Sequence, residues 1–155
     1  MDKVIKQDTA KKIAEKLKKE NKKIVLTNGC FDILHIGHAE YLKEAKKLGD
    51  FLFVGINSDS SVKKLKGESR PINNEKDRAK LLSYLEFIDY AIIFEEKTAD
   101  NIIDLIKPDI YVKGGDYTKE SLPEYQTLLK YNSEIAFVNF VNGYSTTKIL
   151  EKIKS

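Results

Sequence analysis

Short apolar runs rich in β-branched residues alternate along the chain with longer stretches whose apolar residues recur every three to four positions. The runs at 22–28, 51–57, 90–94, 109–113 and 135–141 are bounded by turn or charged residues and predict strands. Between them, 9–20 sets Ile13, Ala14 and Leu17 on one side of a Lys/Glu-rich cylinder. Residues 38–48, 75–85, 98–106, 120–131 and 146–153 keep similar spacing and predict helices. Strands separated by helices imply parallel β-α-β crossovers, hence an α/β, Rossmann-like, doubly wound five-stranded parallel sheet. A single domain over residues 1–155 is expected, with a helical extension at 1–21 and a core at 22–152. Ligands of such sheets bind beyond the carboxyl ends of the strands, at the topological switch point.

The segment that closes the first strand, residues 27–38 (TNGCFDILHIGH), carries the most chemistry and holds both of the chain's histidines, His35 and His38. A strand that runs through a glycine turn into a helix presents unpaired N–H groups and the positive end of the helix dipole, a receptor for an anion such as phosphate. His35 and His38, three residues apart, would flank that anion, and Gly37 lets a planar base or ribose approach the backbone. Core imidazoles, or a metal pair with Cys30 or Asp32, are the alternatives. Cys30 reads as a small packing residue, since no base is dedicated to it. Asp32 either caps the turn or helix or takes part in chemistry.

Three further stretches bear on the same rim. Residues 63–70 (KKLKGESR) are either a solvated charge run or a mobile phosphate clamp formed by Lys66 with Lys63 and Arg70. Arg78, beside Asp77 on the next helix, is a surface ion pair or a contact to phosphate or another subunit. In 113–117 (KGGDY), which begins with Lys113, Gly114 and Gly115 permit positive φ and close backbone approach, while Asp116 can accept hydrogen bonds from ribose or base. A plain turn uses the same glycines. Ser145 and Thr146 open the last helix, where their hydroxyls cap it, donate to phosphate, or both. No GxxxxGK[ST] loop and no GxGxxG fingerprint occurs, so phosphate has to be held by helix-end amides, imidazoles, Lys, Arg and a metal ion.

Composition narrows the partners. The 155 residues are 41% hydrophobic, enough for one compact core. With 27 basic and 24 acidic residues interspersed, the net charge of +3 leaves no nucleic-acid footprint. One cysteine excludes an internal disulfide and suits a reducing compartment. No apolar run reaches membrane-spanning length and none at the N-terminus suits a signal peptide, so a cytoplasmic protein without a membrane partner is expected.

His35-Ile36-Gly37-His38 resembles the HxGH signature of the cytidylyltransferase-like nucleotidyltransferase superfamily, and the resemblance extends over residues 22–152. Asn28, Gly29, Cys30, Phe31 and Asp32 look like its strand-one turn, and Gly143-Tyr144-Ser145-Thr146-Thr147 looks like its late Ser-Thr helix cap. Residues 65–72 with Asp77 and Arg78, and 112–117, are most similar to the adenylyltransferases that make ADP-heptose from D-glycero-D-manno-heptose 1-phosphate and ATP.

The resemblance implies that His35, His38 and Lys66 stabilise charge while AMP is transferred and pyrophosphate leaves, with no covalent intermediate. The nucleotide would contact Asn28, Gly29, Cys30, Phe31, Gly37, Lys113, Gly115, Asp116, Tyr144, Ser145 and Thr146. Asp32, Arg70 and Arg78 would meet the sugar phosphate. Mg²⁺ would arrive with ATP, its protein ligands left unassigned. A homodimer is implied, and because such enzymes are often fused to a sugar kinase, a separate kinase would supply the acceptor. Cytidylyltransferase relatives commonly carry Arg-Thr-Glu where this chain has Phe140, Val141 and Asn142, which favours ATP over CTP. A cytidylyltransferase for glycerol 3-phosphate or a similar phosphate alcohol, an adenylyltransferase for flavin or pantetheine phosphate, and a non-catalytic nucleotide-binding module are the alternatives.

Overall fold

The carboxyl ends of two neighbouring strands form the rim on which the chemistry converges, and the chain path explains why they part there. A computed structural model describes residues 2–115, 117–139 and 144–155. Its strands are β1 (Ile24–Gly29), β2 (Phe51–Asn57), β3 (Tyr90–Phe94), β4 (Ile110–Gly114) and β5 (Glu134–Val138), all parallel in the order β3-β2-β1-β4-β5. The chain winds outward from β1 to β3, then returns past β1 to lay β4 and β5 on the other side. The switch point is therefore the crevice between β1 and β4. This is the α/β, Rossmann-like sheet that the pattern of apolar runs predicts.

Both faces of the central strands are covered, which is why they read as continuous apolar runs rather than alternating ones. Ile24, Leu26, Phe53 and Tyr111 pack beneath α1 (Gln7–Lys19), α5 (Asp100–Ile106) and α6 (Tyr125–Lys130). Val25, Leu52, Val54 and Val112 pack beneath α2 (Ile36–Lys46) and α4 (Glu75–Ser83). Burying each such side chain contributes about 1.5–3 kcal/mol. Two shorter-reaching helices complete the set: α3 (Asp59–Lys66) and α7 (Thr146–Lys154), the latter with no fully buried residue among those described.

The structure departs from the sequence pattern in three places. The stretch after β2, expected as a loop, is helical: Ser58 caps α3 by accepting from the Ser61 N–H at 3.2 Å, and Gly67 ends it at φ 104°. Only Ser61 and Val62 of α3 are buried, too few to print a helical period. The helix expected over 120–131 shrinks to α6, because Pro123 lies in its interior and Thr118 and Ser121 hydrogen-bond each other's backbone instead. The last strand ends at Val138 rather than at 141, and residues 140–143 lie outside the described residues.

The first 21 residues, expected as a helical extension, pack onto the sheet. Ala10, Ala14 and Leu17 of α1 belong to the core. Val4 bridges to Ala91; the Ile5 N–H donates to Ala91 O at 3.0 Å and the Ala91 N–H to Lys3 O at 2.8 Å, so β3 gains a short parallel neighbour.

Candidate active site

The β1–α2 corner is assembled around two imidazoles. Phe31 takes a positive φ of 49°, which turns the chain sharply after β1. His35 then serves as the extended N-cap of α2, and its backbone N–H donates to Nδ1 of His38 at 3.3 Å. The rings stack with centroids 3.8 Å apart at 25°, and Phe31 meets His38 edge-on at 5.4 Å. Tyr144 lies nearly parallel to His35 at 6.4 Å. Gly37 is needed for this packing, since a Cβ there would stand 2.9 Å from the His35 ring and 3.2 Å from Cβ of Tyr144. The sequence suggests that Gly37 makes room for a ligand; the structure adds that it makes room for His35 and Tyr144.

Burial lowers the pKa of His35, and burial followed by the neighbouring His35 lowers that of His38 to about 4. Both rings are neutral near pH 7. With Nδ1 of His38 accepting a backbone N–H, its proton belongs on Nε2, which makes that atom a donor. Nδ1 of His35 is buried with no hydrogen-bond partner among the described residues. Beneath the pair, the Thr27 hydroxyl donates to Val112 O at 2.9 Å and lies 2.8 Å from the Tyr41 hydroxyl. These contacts seat α2 across the β1/β4 crevice. Nothing in the spacing of Thr27 and Tyr41 announces this.

The start of α7 comes to the same place. Ser145 caps it, its Oγ accepting from the Lys148 N–H at 3.0 Å, and the Thr146 hydroxyl donates to Ile33 O at 3.4 Å, tying α7 to the loop before α2. Two helix N-termini thus converge beside the histidines, and their dipoles favour an anion between them. Lys113 is the penultimate residue of β4, with its ammonium 5.4 Å from the Tyr117 ring, and Gly115 takes φ 86°, the region the sequence reserves for it. Asn28, at the end of β1, accepts a hydrogen bond at Oδ1 from the Tyr111 hydroxyl. Asp116 and residues 140–143 lie outside the described residues, as do the expectations resting on them.

A second group forms the flank. Asp32 is buried and receives Arg70 Nε at 2.7 Å together with the N–H groups of Ile72 and Asn73, both at 2.9 Å. Burial alone would push its carboxyl up, but these hydrogen bonds and Arg70 outweigh that and hold it below its usual range. Asp32 thereby fastens the 70–73 loop to the β1–α2 turn. Arg78 corrects the surface ion-pair reading, for it is among the largest fully buried side chains. It donates to Cys30 O at 2.8 Å, Asn57 O at 2.7 Å, Asn73 O at 2.9 Å and Asp59 Oδ1 at 2.8 Å, joining the ends of β1 and β2 to α3 and the loop. A groove of about 300 Å³ opens over Asp32, Asn73 and Arg78, bounded by Asp77, Leu81 and Tyr84.

Lys66 sits in the last turn of α3 rather than in a loop, with Lys63 one turn before it. Burial pushes the Cys30 thiol up, opposed by the charges of Lys66, Arg78 and Arg70, which locates all three near the turn. A raised thiol pKa suits packing better than nucleophilic attack. Among the described residues, no three His, Cys, Asp or Glu side chains gather as metal ligands, and no helix is long and apolar enough to cross a membrane.

Comparison with known proteins places this geometry in context. The sequence profile described as cytidylyltransferase-like matches residues 26–152. The chain is 54% identical over 143 residues to a protein of Aliarcobacter butzleri named bifunctional protein HldE, covering 92% of this chain and 29% of that protein. It is 52% identical over 143 residues to the protein of the same name from Nitratiruptor sp., covering 92% and 30%. The chain thus spans under a third of the length of these relatives. The crystal structure of the lipopolysaccharide core biosynthesis protein from Thermoplasma volcanium superposes with a TM-score of 0.63 at 35% identity, covering 80% of this chain and 99% of that one.

Proposed function

The chain belongs to the cytidylyltransferase-like family, and on that premise we propose that it is a nucleotidyltransferase that transfers AMP from ATP to D-glycero-D-manno-heptose 1-phosphate, giving ADP-heptose and pyrophosphate. The observation that carries this reading is the stacked, neutral His35–His38 pair at the start of α2, beside the start of α7 and over the switch-point crevice. The names of the bifunctional relatives and of the structural neighbour support the sugar-nucleotide branch.

In the proposed reaction an oxygen of the sugar phosphate attacks the α-phosphorus of ATP in line. The bond from that phosphorus to the bridging oxygen breaks, and pyrophosphate leaves with the electron pair. No protein group becomes covalently attached. The residues of this chain position the reactants and stabilise charge that grows on the leaving oxygens. His38 donates from Nε2, His35 adds a second ring donor, the α2 and α7 amides face the phosphates, and Lys66 supplies a cation from α3. Asn28, Lys113 and Tyr144 border the nucleotide, and Arg70 borders the acceptor phosphate.

Mg²⁺ would arrive with ATP; among the described residues no three His, Cys, Asp or Glu side chains gather around it. When bound, it neutralises phosphate charge. A sugar kinase activity outside these 155 residues supplies the acceptor, and the enzyme works as a cytoplasmic homodimer. Pyrophosphate release over a matrix of nucleoside triphosphates and phosphorylated acceptors, with Mg²⁺, tests the proposal. Highest efficiency is expected for ATP with heptose 1-phosphate; a clear preference for CTP with glycerol 3-phosphate overturns both substrate assignments, and ATP binding without turnover of any acceptor overturns the catalytic reading.

A further inference from the structure

Tyr111 is a fully buried residue, the second of β4, and its ring belongs to the core beneath α1 and α5. Its hydroxyl leaves that core to reach the rim. In the β1/β4 register Tyr111 pairs with Leu26, so Tyr111 and Asn28, two residues on, share one face of the sheet and stand diagonally across the switch-point crevice. The hydroxyl donates to Oδ1 of Asn28. Burial, and after it the charge of Glu124, hold the phenol well above its ordinary pKa, so Tyr111 remains a donor throughout the working pH range. A donor arriving at Oδ1 decides which way the amide lies, since an inverted amide would donate to the phenol oxygen and leave the hydroxyl hydrogen with no acceptor among the described residues. Gly55 of the neighbouring strand lies close beside Asn28, for a Cβ on Gly55 would meet Cβ of Asn28 at 3.3 Å.

We propose that Tyr111 is a positioning residue for the nucleotide: by engaging Oδ1 of Asn28 it turns the NH₂ of that amide away from the core, as the donor face offered to ATP. The inference rests on the nucleotidyltransferase reading above and adds to it a residue that touches no substrate. Sequence spacing does not disclose it, because 83 residues separate Tyr111 from Asn28.

Tyr111→Phe removes one oxygen and keeps the ring. A neutral hydrogen bond of this kind typically corresponds to about a two- to tenfold effect, so the KM for ATP is expected to rise about threefold or more while kcat and the KM for the acceptor stay within about twofold. The deciding comparison is made in an Asn28→Ala background, where Tyr111→Phe should change the KM for ATP less than about twofold. An equal cost in both backgrounds assigns Tyr111 to the core alone and overturns the inference. The side-chain NH₂ resonances of Asn28 supply a readout independent of turnover: ATP should shift them in the unmodified protein, and in Tyr111→Phe they should already be displaced before ATP is added. Resonances that ignore ATP overturn the inference even if turnover is normal. Resonances that respond to ATP in a protein that releases no pyrophosphate uphold it and reject only the reaction.

Discussion

Replacing Arg78 with Met should cost the fold more than any other exchange of a charged residue, and the structure allows the loss to be estimated. The guanidinium is fully buried and satisfies three backbone carbonyls, those of Cys30, Asn57 and Asn73, besides pairing with Asp59. Met refills the volume of the stem, so the change isolates the polar head. Each carbonyl left without a partner costs about 1–3 kcal/mol when no water reaches it, and breaking a buried ion pair by removing one member costs about 3–5 kcal/mol in all. These figures overlap, because Asp59 is itself partly exposed and regains water. About 4 kcal/mol is the expected total, against a stability of about 5–15 kcal/mol for an ordinary domain. For a chain of this size each kcal/mol moves Tm by about 2–4 °C, which predicts a fall of about 8–16 °C in thermal unfolding followed by circular dichroism. Lys at position 78 should recover little, since a point charge cannot bridge the carbonyls that the fork spans. Asp59→Asn should cost under about 1 kcal/mol. A Met variant that melts within about 2 °C of the unmodified protein refutes the reasoning, and an Asp59→Asn loss equal to it moves the weight from the carbonyls to the ion pair.

Three other outcomes are expected. His35→Ala and His38→Ala should each lower turnover about a hundredfold or more with the fold intact; near-normal turnover in both rejects their role at the phosphates. Because the folded pKa of His38 is about 4, below its ordinary 6.5, the unfolded chain takes up a proton that the folded chain refuses between those values. Stability should therefore be full above pH 6.5 and fall as the pH drops toward 4, by about 1–2 kcal/mol after allowance for partial solvent exposure. His38→Gln should flatten that slope in urea titrations at stepped pH, and an unchanged slope removes the attribution. Amide exchange over residues 63–70 should slow when ATP binds, since α3 ends at Gly67 beside the Lys66 charge; identical exchange with and without ATP argues against a closing segment.

The strands were legible because β1 to β4 are apolar on both faces, a property that survives projection onto one dimension. The His35–His38 corner was legible for another reason: a glycine turn between strand and helix has few alternative geometries, and the two rings had to fall within its first turn. Arg78 was not. An arginine beside an aspartate reads as a solvated pair, and only the meeting of β1, β2 and α3 shows that Cys30, Asn57 and Asn73 present their carbonyls to one point. The sequence offers Asp32 and Arg70 as substrate contacts but carries no sign of their mutual bond, which depends on the 70–73 loop folding back over the turn. Helix α3 escaped because its cap, Ser58, was its strongest signal and its buried face is two residues wide.

The arrangement of residues 3–5 and α1 bears on how the protein can be trimmed. The family profile begins at residue 26, which invites a fragment cut there as a minimal enzyme. Such a cut strips Ala10, Ala14 and Leu17 from over Phe53, Ile102 and Tyr111, and it leaves the Ala91 N–H and carbonyl on β3 unpaired along an open edge. An uncovered apolar sheet face beside a bare strand edge is a template for strand addition between molecules. Fragments that start at residue 22 or later should therefore come out of cells as aggregates, visible by light scattering, whereas a fragment that remains monomeric and folded would show that α1 is dispensable. A fusion partner is accordingly better joined ahead of residue 3 than in place of the segment that follows it.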